Sequence, residues 1–203
     1  MQEFENEIEK RIVEAAKQAF LEKGYLGASM RDIAKAAGVN VAMLNYYFRS
    51  KDRLFDMIFT EQLNLIIGAI MSEVIKSESL MSKLKLIISN MIDSLQKHQH
   101  LPVFVITEIH RNPDRFFAVS NFDKVYPALD YFTRQVEEEV VKENIRPIDP
   151  HLLLINIISL CIFPFLAKPL IGNVLKVSVD DFDKMKEVRK DEIFELIYNR
   201  LKK

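Results

Sequence analysis

Glycine is scarce in this chain, with 5 in 203 residues, while nearly half of the residues are apolar. That balance favours helices over turn-rich sheets. Cysteine is almost absent. Cys161 stands alone inside an apolar run, which excludes an intramolecular disulfide and fits a reducing, cytoplasmic setting. There is no glycine-rich phosphate loop, no G-x-S-x-G and no H-E-x-x-H, so the common signatures of nucleotide and hydrolytic chemistry are missing. An apolar setting also raises a thiol pKa rather than activating it. A non-enzyme without a cofactor is the expectation. The N-terminus, MQEFENEIEK, is acidic and carries no apolar core, unlike a signal peptide. No segment repeats and none is of low complexity. With a net charge of -1 the whole chain has no bulk affinity for polyanions.

The charge is unevenly placed. Between Lys10 and Arg53 there are nine Lys and Arg against four Asp and Glu, net +5, which leaves the remainder at -6. A modestly basic N-terminal part on an acidic body suits one-sided DNA binding. Within that basic part, Ser29 to Lys51 reads as two short helices and the start of a third. Ser29 and Asp32 form an S-x-x-D capping box. Ile33, Ala34 and Ala37 give the first helix its apolar face. Gly38 ends it, because glycine enters the left-handed region without a side-chain penalty. Val39 pins the turn and Asn40 caps the next helix, about Val41 to Phe48. Ser50 can cap a third helix from Lys51. Two helices joined by a short glycine turn make a helix-turn-helix, whose second helix enters the major groove N-terminus first. That helix exposes Asn40, Val41, Ala42, Met43, Asn45 and Tyr46, almost without charge, and Arg31, Lys35, Arg49 and Lys51 surround it.

The run from about Arg11 to Phe59, RIVEAAKQAFLEKGY and then SMRDIAKAAGVNVAMLNYYFRSKDRLF, resembles the DNA-binding domain of TetR-family transcriptional regulators. The resemblance implies an all-α protein in two parts. Residues 1–51 would be a three-helix helix-turn-helix domain, and residues 52–203 a helical ligand-binding and dimerisation domain. It implies as partners double-stranded DNA, a second copy of the chain in a homodimer, and a small-molecule effector, with no membrane. By position, the DNA-binding set is Ser29, Arg31, Asn40, Val41, Ala42, Met43, Asn45, Tyr46, Tyr47 and Lys51. Arg31 is a candidate for base or phosphate contact. Val41, Ala42 and Met43 lack hydrogen-bonding groups and suit thymine methyls. Asn45 stands where the family often has tyrosine. Tyr46, Tyr47 and Lys51 are the candidate phosphate clamp, Lys51 being in the first turn of its helix.

Helical periodicity runs through the rest. The first helix, about Glu5 to Lys23, has an apolar stripe from Ile8 to Phe20 and a candidate C-cap at Gly24. A long helix from Asp52 to about Lys76 would span about 38 Å at 1.5 Å per residue. Ser79 caps the next, to about His98. His98-Gln99-His100 could hold a metal, but no Cys or carboxylate cluster accompanies it, so a polar helix end is expected and no metal. Pro102 starts a helix that Asn112-Pro113 stops. The aromatics Phe116, Phe117, Phe122, Tyr126, Tyr131 and Phe132 follow, and the resemblance places such a segment around a cavity. The expected pocket is apolar, lined by Phe104, His110, Phe116, Phe117, Tyr126 and Phe163. A helix with Pro127 near its start follows, to about Glu143. Asp149-Pro150 opens a further helix.

Leu152 to Ala167 is sixteen residues without a charge. That falls between a buried helix and the roughly 20 residues of a membrane span. Asn156, Ser159 and Pro164 within it favour a buried helix, kinked at Pro164. Gly172 to Val179 reads as a loop, and Asp180 or Asp181 as the cap of a last helix. By resemblance the final two helices pair across a dimer, with Leu153, Ile157, Leu160, Phe194, Ile197 and Leu201 at the interface. The leading expectation is a ligand-responsive regulator, a repressor on a palindromic operator, released by a small apolar or aromatic ligand. The alternative is an all-helical small-molecule-binding or dimer-interaction protein without DNA affinity.

Overall fold

The computed structural model describes residues 2–74, 79–119 and 125–203. Phe122 and Lys76 therefore lie outside the described residues. Among the described residues every regular element is helical. The helices are α1 Gln2–Gly27, α2 Met30–Ala37, α3 Val41–Phe48, α4 Lys51–Val74, α5 Leu80–Lys97, α6 Leu101–Arg111, α7 Pro113–Val119, α8 Tyr126–Val141, α9 Pro150–Leu166, α10 Lys168–Val174 and α11 Val179–Leu201. They group into two compact units, Met1–Asn64 with Val103–Ser120 and Leu65–Pro102 with Asn121–Lys203. Packing thus gives the first unit more than residues 1–51. It adds the first half of α4 and most of the α6–α7 segment.

The core of the first unit is Ile12, Ala16, Phe20, Ile33, Ala34, Leu44, Leu54, Phe55, Ile58 and Phe59, all buried. Phe55 is its aromatic hub. It lies 5.0 Å from Phe20 and from Tyr25, and 5.7 Å from Phe59. Phe104 from α6 and Phe116 from α7 close on the same rings. Edge-to-face pairs of this kind add to the burial of their large apolar area.

In the second unit α5 packs against α8, α9 and α11. Leu84, Ile87, Ile88, Met91 and Ile92 from α5 meet Phe132 and Val136 from α8, Leu153, Ile157 and Cys161 from α9, and Ile193, Ile197 and Leu201 from α11. One charge is caught inside. Lys83 has no exposed surface, its Nζ donates to Gln135 Oε1 at 2.5 Å and sits 4.3 Å from the Tyr131 ring centre, and burial lowers its pKa. Lys190 reaches both Asp93 oxygens at 2.9 Å and ties α11 to α5.

Pro164 has no N–H to give the carbonyl of Leu160, four residues earlier. Arg189 from α11 supplies the missing donor, Nη2 to Leu160 O at 2.7 Å. The chain bends by 68° between α9 and α10. The break falls at Ala167, between Pro164 and Pro169, because neither proline can donate into a continuing ladder.

Two local expectations are corrected. Gly172–Val179 is not a loop throughout, since α10 runs to Val174 with Gly172 inside it. Pro169 sits in the first turn of α10, where a missing N–H costs nothing. The last helix is capped by Ser178 rather than Asp180 or Asp181. Ser178 Oγ accepts from Asp181 N at 3.1 Å and donates to Asp181 Oδ2 at 2.6 Å. This is the same S-x-x-D box as Ser29–Asp32.

The dimer-face register is corrected as well. Leu153, Ile157, Ile197 and Leu201 are buried in the chain's own core, which leaves them nothing to offer a partner, while Leu160 and Phe194 are half-buried. Among the described residues, the large apolar side chains that these helices do expose are Leu152, Ile155 and Phe163 on α9, and Met185, Val188, Leu196 and Tyr198 on α11. Among the described residues no single helix is long and apolar enough to cross a membrane, and only the bent pair α9–α10 passes by length and composition.

Candidate nucleic-acid interface

The turn between α2 and α3 is built by local caps and by one distant side chain, Arg11. Ser29 Oγ accepts from Asp32 N at 3.1 Å and donates to the Asp32 carboxylate at 2.7 Å. Gly38 takes φ 66°, ψ 36° and closes α2 in the left-handed region. Arg11 from α1 then covers the end of α2: its Nε donates to Ala37 O at 3.1 Å and its Nη2 to Gly38 O at 3.2 Å, with a further bond from Nη2 to Ala37 O. A cation at a helix C-terminus also complements the helix dipole. A Cβ on residue 38 would come within 2.7 Å of that guanidinium. The backbone angle therefore favours glycine, and a larger residue would also displace the tip of Arg11.

Asn40 caps α3, its Oδ1 accepting from Met43 N at 2.7 Å. The cap takes one lone pair of that oxygen, and the amide N–H groups of Asn40 are not used by it. Leu44 and Phe48 turn inward and anchor the helix. Arg31, Asn40, Val41, Ala42, Met43, Asn45 and Tyr46 are all exposed, Tyr46 at 78%. Tyr47 is half-buried and lies edge-on to Tyr46 at 5.5 Å. Arg49 ends α3 at φ 60°, Ser50 Oγ caps α4 through Arg53 N at 3.2 Å, and Lys51 opens α4. Of the ten residues singled out by position, Asn40 to Tyr47 lie on α3 or at its cap, Ser29 and Arg31 at the start of α2, and Lys51 at the start of α4. An uncharged face rimmed by cations offers base-edge contacts at the centre and phosphate contacts at its edges.

A second set of contacts ties the end of α1 and the start of α4 to α6 and α7. Gly24 breaks α1 at φ 66°, ψ 179°. The Tyr25 N–H after the break finds Glu108 Oε1 at 3.2 Å, and Arg111 holds the same oxygen at 3.1 Å. Tyr25 donates its hydroxyl to Asp52 at 2.8 Å. Arg115 from α7 grips Asp52 and Asp56. The bond from Tyr25 holds the Asp52 carboxyl below its ordinary range, with Arg115 adding to it against a burial effect. Burial, then the Asp52 bond, push the Tyr25 phenol up. Burial works against the Arg115 charge, but Asp56, Tyr25 and Asp52 more than offset it. Arg11, Glu108 and Arg115 escaped notice because their partners are 26 or more residues away in sequence.

The expected pocket residues fall in both units. Phe104 and Phe116 are buried in the aromatic cluster of the first unit, Phe117 is exposed with its ring 5.2 Å from Phe116, and His110 Nδ1 sits 2.8 Å from Ile106 O on the surface of α6. Phe55, Asp56, Phe59, Glu108, Asn112, Arg115 and Phe116 enclose a gap of about 10 Å³, the size of one water. Tyr126 and Phe163 belong to the second unit, and both are exposed. Tyr126 lines an open depression of about 420 Å³ with Pro127, Asp130, Tyr131 and Arg134.

A capped helix-turn-helix with a cation-rimmed second helix, carried by an all-helical chain, defines a DNA-binding regulator of the helix-turn-helix class. Residues 12–58 match the family model of bacterial regulatory proteins, tetR family. The chain is similar to the protein of Bacillus subtilis (strain 168) named "Probable HTH-type transcriptional regulator YttP", at 28% identity over 171 residues, 81% of this chain and 80% of the relative. Its fold is shared with FadR from Bacillus subtilis, solved with stearoyl-CoA (TM-score 0.65, 19% identity, 94% of this chain and 98% of FadR). It is shared too with AibR, solved with isovaleryl coenzyme A and operator DNA (TM-score 0.69, 19% identity, 92% and 96%). Over residues 12–58 the chain therefore carries a DNA-binding domain of the tetR type.

Proposed function

We propose that the chain is a ligand-responsive repressor that binds a palindromic operator as a homodimer and leaves it when a small apolar ligand binds. The observation that carries the DNA half of this reading is the face of α3. Val41, Ala42, Met43, Asn45 and Tyr46 are held outward by buried Leu44 and Phe48, with Arg31 and Lys51 at the rim. Val41, Ala42 and Met43 read thymine methyls, and Arg31 and Asn45 supply the polar base contacts. Tyr46, Tyr47 and Lys51 hold phosphates. The dimer uses the outward faces of α9 and α11, where Leu152, Ile155, Phe163, Val188 and Leu196 are among the exposed apolar side chains. A two-fold interface of this kind presents two reading heads to two half-sites.

For the effector, an acyl thioester is the first class to test, since FadR and AibR were each solved with an acyl-CoA. A gel shift on the DNA upstream of the protein's own gene, at two salt concentrations, tests the reading. A retarded band that weakens with salt is expected, and its loss on adding a long- or short-chain acyl-CoA identifies the effector class. Failure to shift at either salt concentration favours the alternative of a binding protein without DNA affinity.

A further inference from the structure

The start of α4 carries acid beside the candidate phosphate contact. Asp52 follows Lys51 directly, and Asp56 lies one turn on. Left bare, two carboxylates there would repel a DNA backbone within the roughly 10 Å over which charges act in 0.1 M salt. They are not bare. Arg115 reaches in from α7, the last helix of the first unit. Its Nε donates to Asp56 Oδ1 at 2.6 Å, its Nη1 lies 2.9 Å from Asp52 Oδ1, and its Nη2 donates to the Asp52 carbonyl at 3.0 Å. The planar guanidinium also lies 4.7 Å from the Tyr25 ring centre and 4.9 Å from that of Phe55. Only arginine can serve two carboxylates and stack on rings at once. Tyr25 connects this clasp to the DNA side. Its hydroxyl donates to Asp52, and the Lys51 ammonium sits 4.3 Å from its ring centre.

We propose that Arg115 is a positioning residue for DNA binding, which neutralises Asp52 and Asp56 and so leaves Lys51, poised on Tyr25, free to take a phosphate. The proposal rests on the DNA-binding reading above. Lys51 and Asp52 already meet at Tyr25, one through the ring and one through the hydroxyl. If Arg115 withdraws, Asp52 competes with phosphate for the lysine, and both carboxylates face the backbone uncompensated. Holding Asp52 is therefore a way to keep the head competent for DNA.

The test uses the full-length protein and a duplex that the wild type selects from a random pool, with affinity read by fluorescence anisotropy at two salt concentrations. Arg115→Gln should weaken binding roughly tenfold at low salt and less at high salt, as for an electrostatic loss. Adding Asp52→Asn to Arg115→Gln should recover most of that loss. A role confined to tying α7 to α4 predicts no recovery, since Asp52→Asn removes one more bond. Asp52→Asn alone, which does not depend on the folding of the arginine variant, should bind as tightly as wild type or tighter. Unchanged affinity in Arg115→Gln, a loss that Asp52→Asn does not recover, or weaker binding by Asp52→Asn alone overturns the proposal while the DNA-binding reading stands. If the wild type selects no duplex at all, the DNA-binding reading itself falls and takes the proposal with it.

Discussion

Gly38 shows how much one residue can be asked to do. It holds a positive φ, and the Arg11 guanidinium occupies the space a side chain would need. Gly38→Ala should cost about 1–2 kcal/mol or more of stability, from the backbone angle together with the displaced arginine. Thermal unfolding measures it, and an unchanged midpoint would remove Gly38 from the account. Asp52 carries a pH dependence whose sign is set by its lowered pKa. Its ordinary value is 3.8, and the Tyr25 bond, aided by Arg115, holds it lower in the folded state. Its contribution is thus complete above the ordinary value and disappears as pH falls through the lower, folded value. A melting-temperature series across the acid range should fall less steeply for Asp52→Asn than for wild type. Lys51→Ala should weaken DNA binding on every sequence alike and reduce the salt slope by about one unit.

At the scale of the element, the division between what could be read from sequence and what could not follows the range of the interactions. The helix-turn-helix was legible because Ser29, Gly38 and Asn40 act within four residues of themselves. The Ser178–Asp181 box obeys the same rule, but two adjacent aspartates also looked like caps. Helix α10 was hidden because Pro169 and Gly172 both resemble breakers, although a proline in the first turn is harmless. The register of α9 was not legible at all. A helix apolar on nearly every side has no periodicity to say which face meets its own core, and the choice of Leu153 and Ile157 as outward residues failed for that reason. Tertiary partners such as Arg189 are equally silent in sequence. Arg189→Met should cost about 1–2 kcal/mol, because the Leu160 carbonyl loses its donor. In a Pro164→Ala background, where residue 164 regains an N–H for that carbonyl, the same change should cost less. Equal costs in the two backgrounds would mean that the arginine is not replacing the proline's missing donor.

The whole molecule joins a basic reading head to an acidic helical body whose outward apolar side chains on α9 and α11 suit a second copy of the chain. Phe163 is 57% exposed and Leu196 is 60% exposed. Phe163→Glu with Leu196→Glu should shift the protein from dimer to monomer in sedimentation velocity and lower the melting temperature by the stabilisation that association had supplied. A wild type that sediments as a monomer at all concentrations would remove that interface. Losing the dimer should also weaken operator binding, because two half-sites are then bound independently. All of this depends on α3 being the surface that meets DNA. Ala42→Glu tests that most directly. The side chain is exposed, unlike those of Leu44 and Phe48, and glutamate is a good helix former. It would place a carboxylate against the groove. Titration of a selected duplex by fluorescence anisotropy should show binding lost in Ala42→Glu with an unchanged melting temperature, whereas wild-type affinity in that variant would contradict the assignment of α3 as the reading helix.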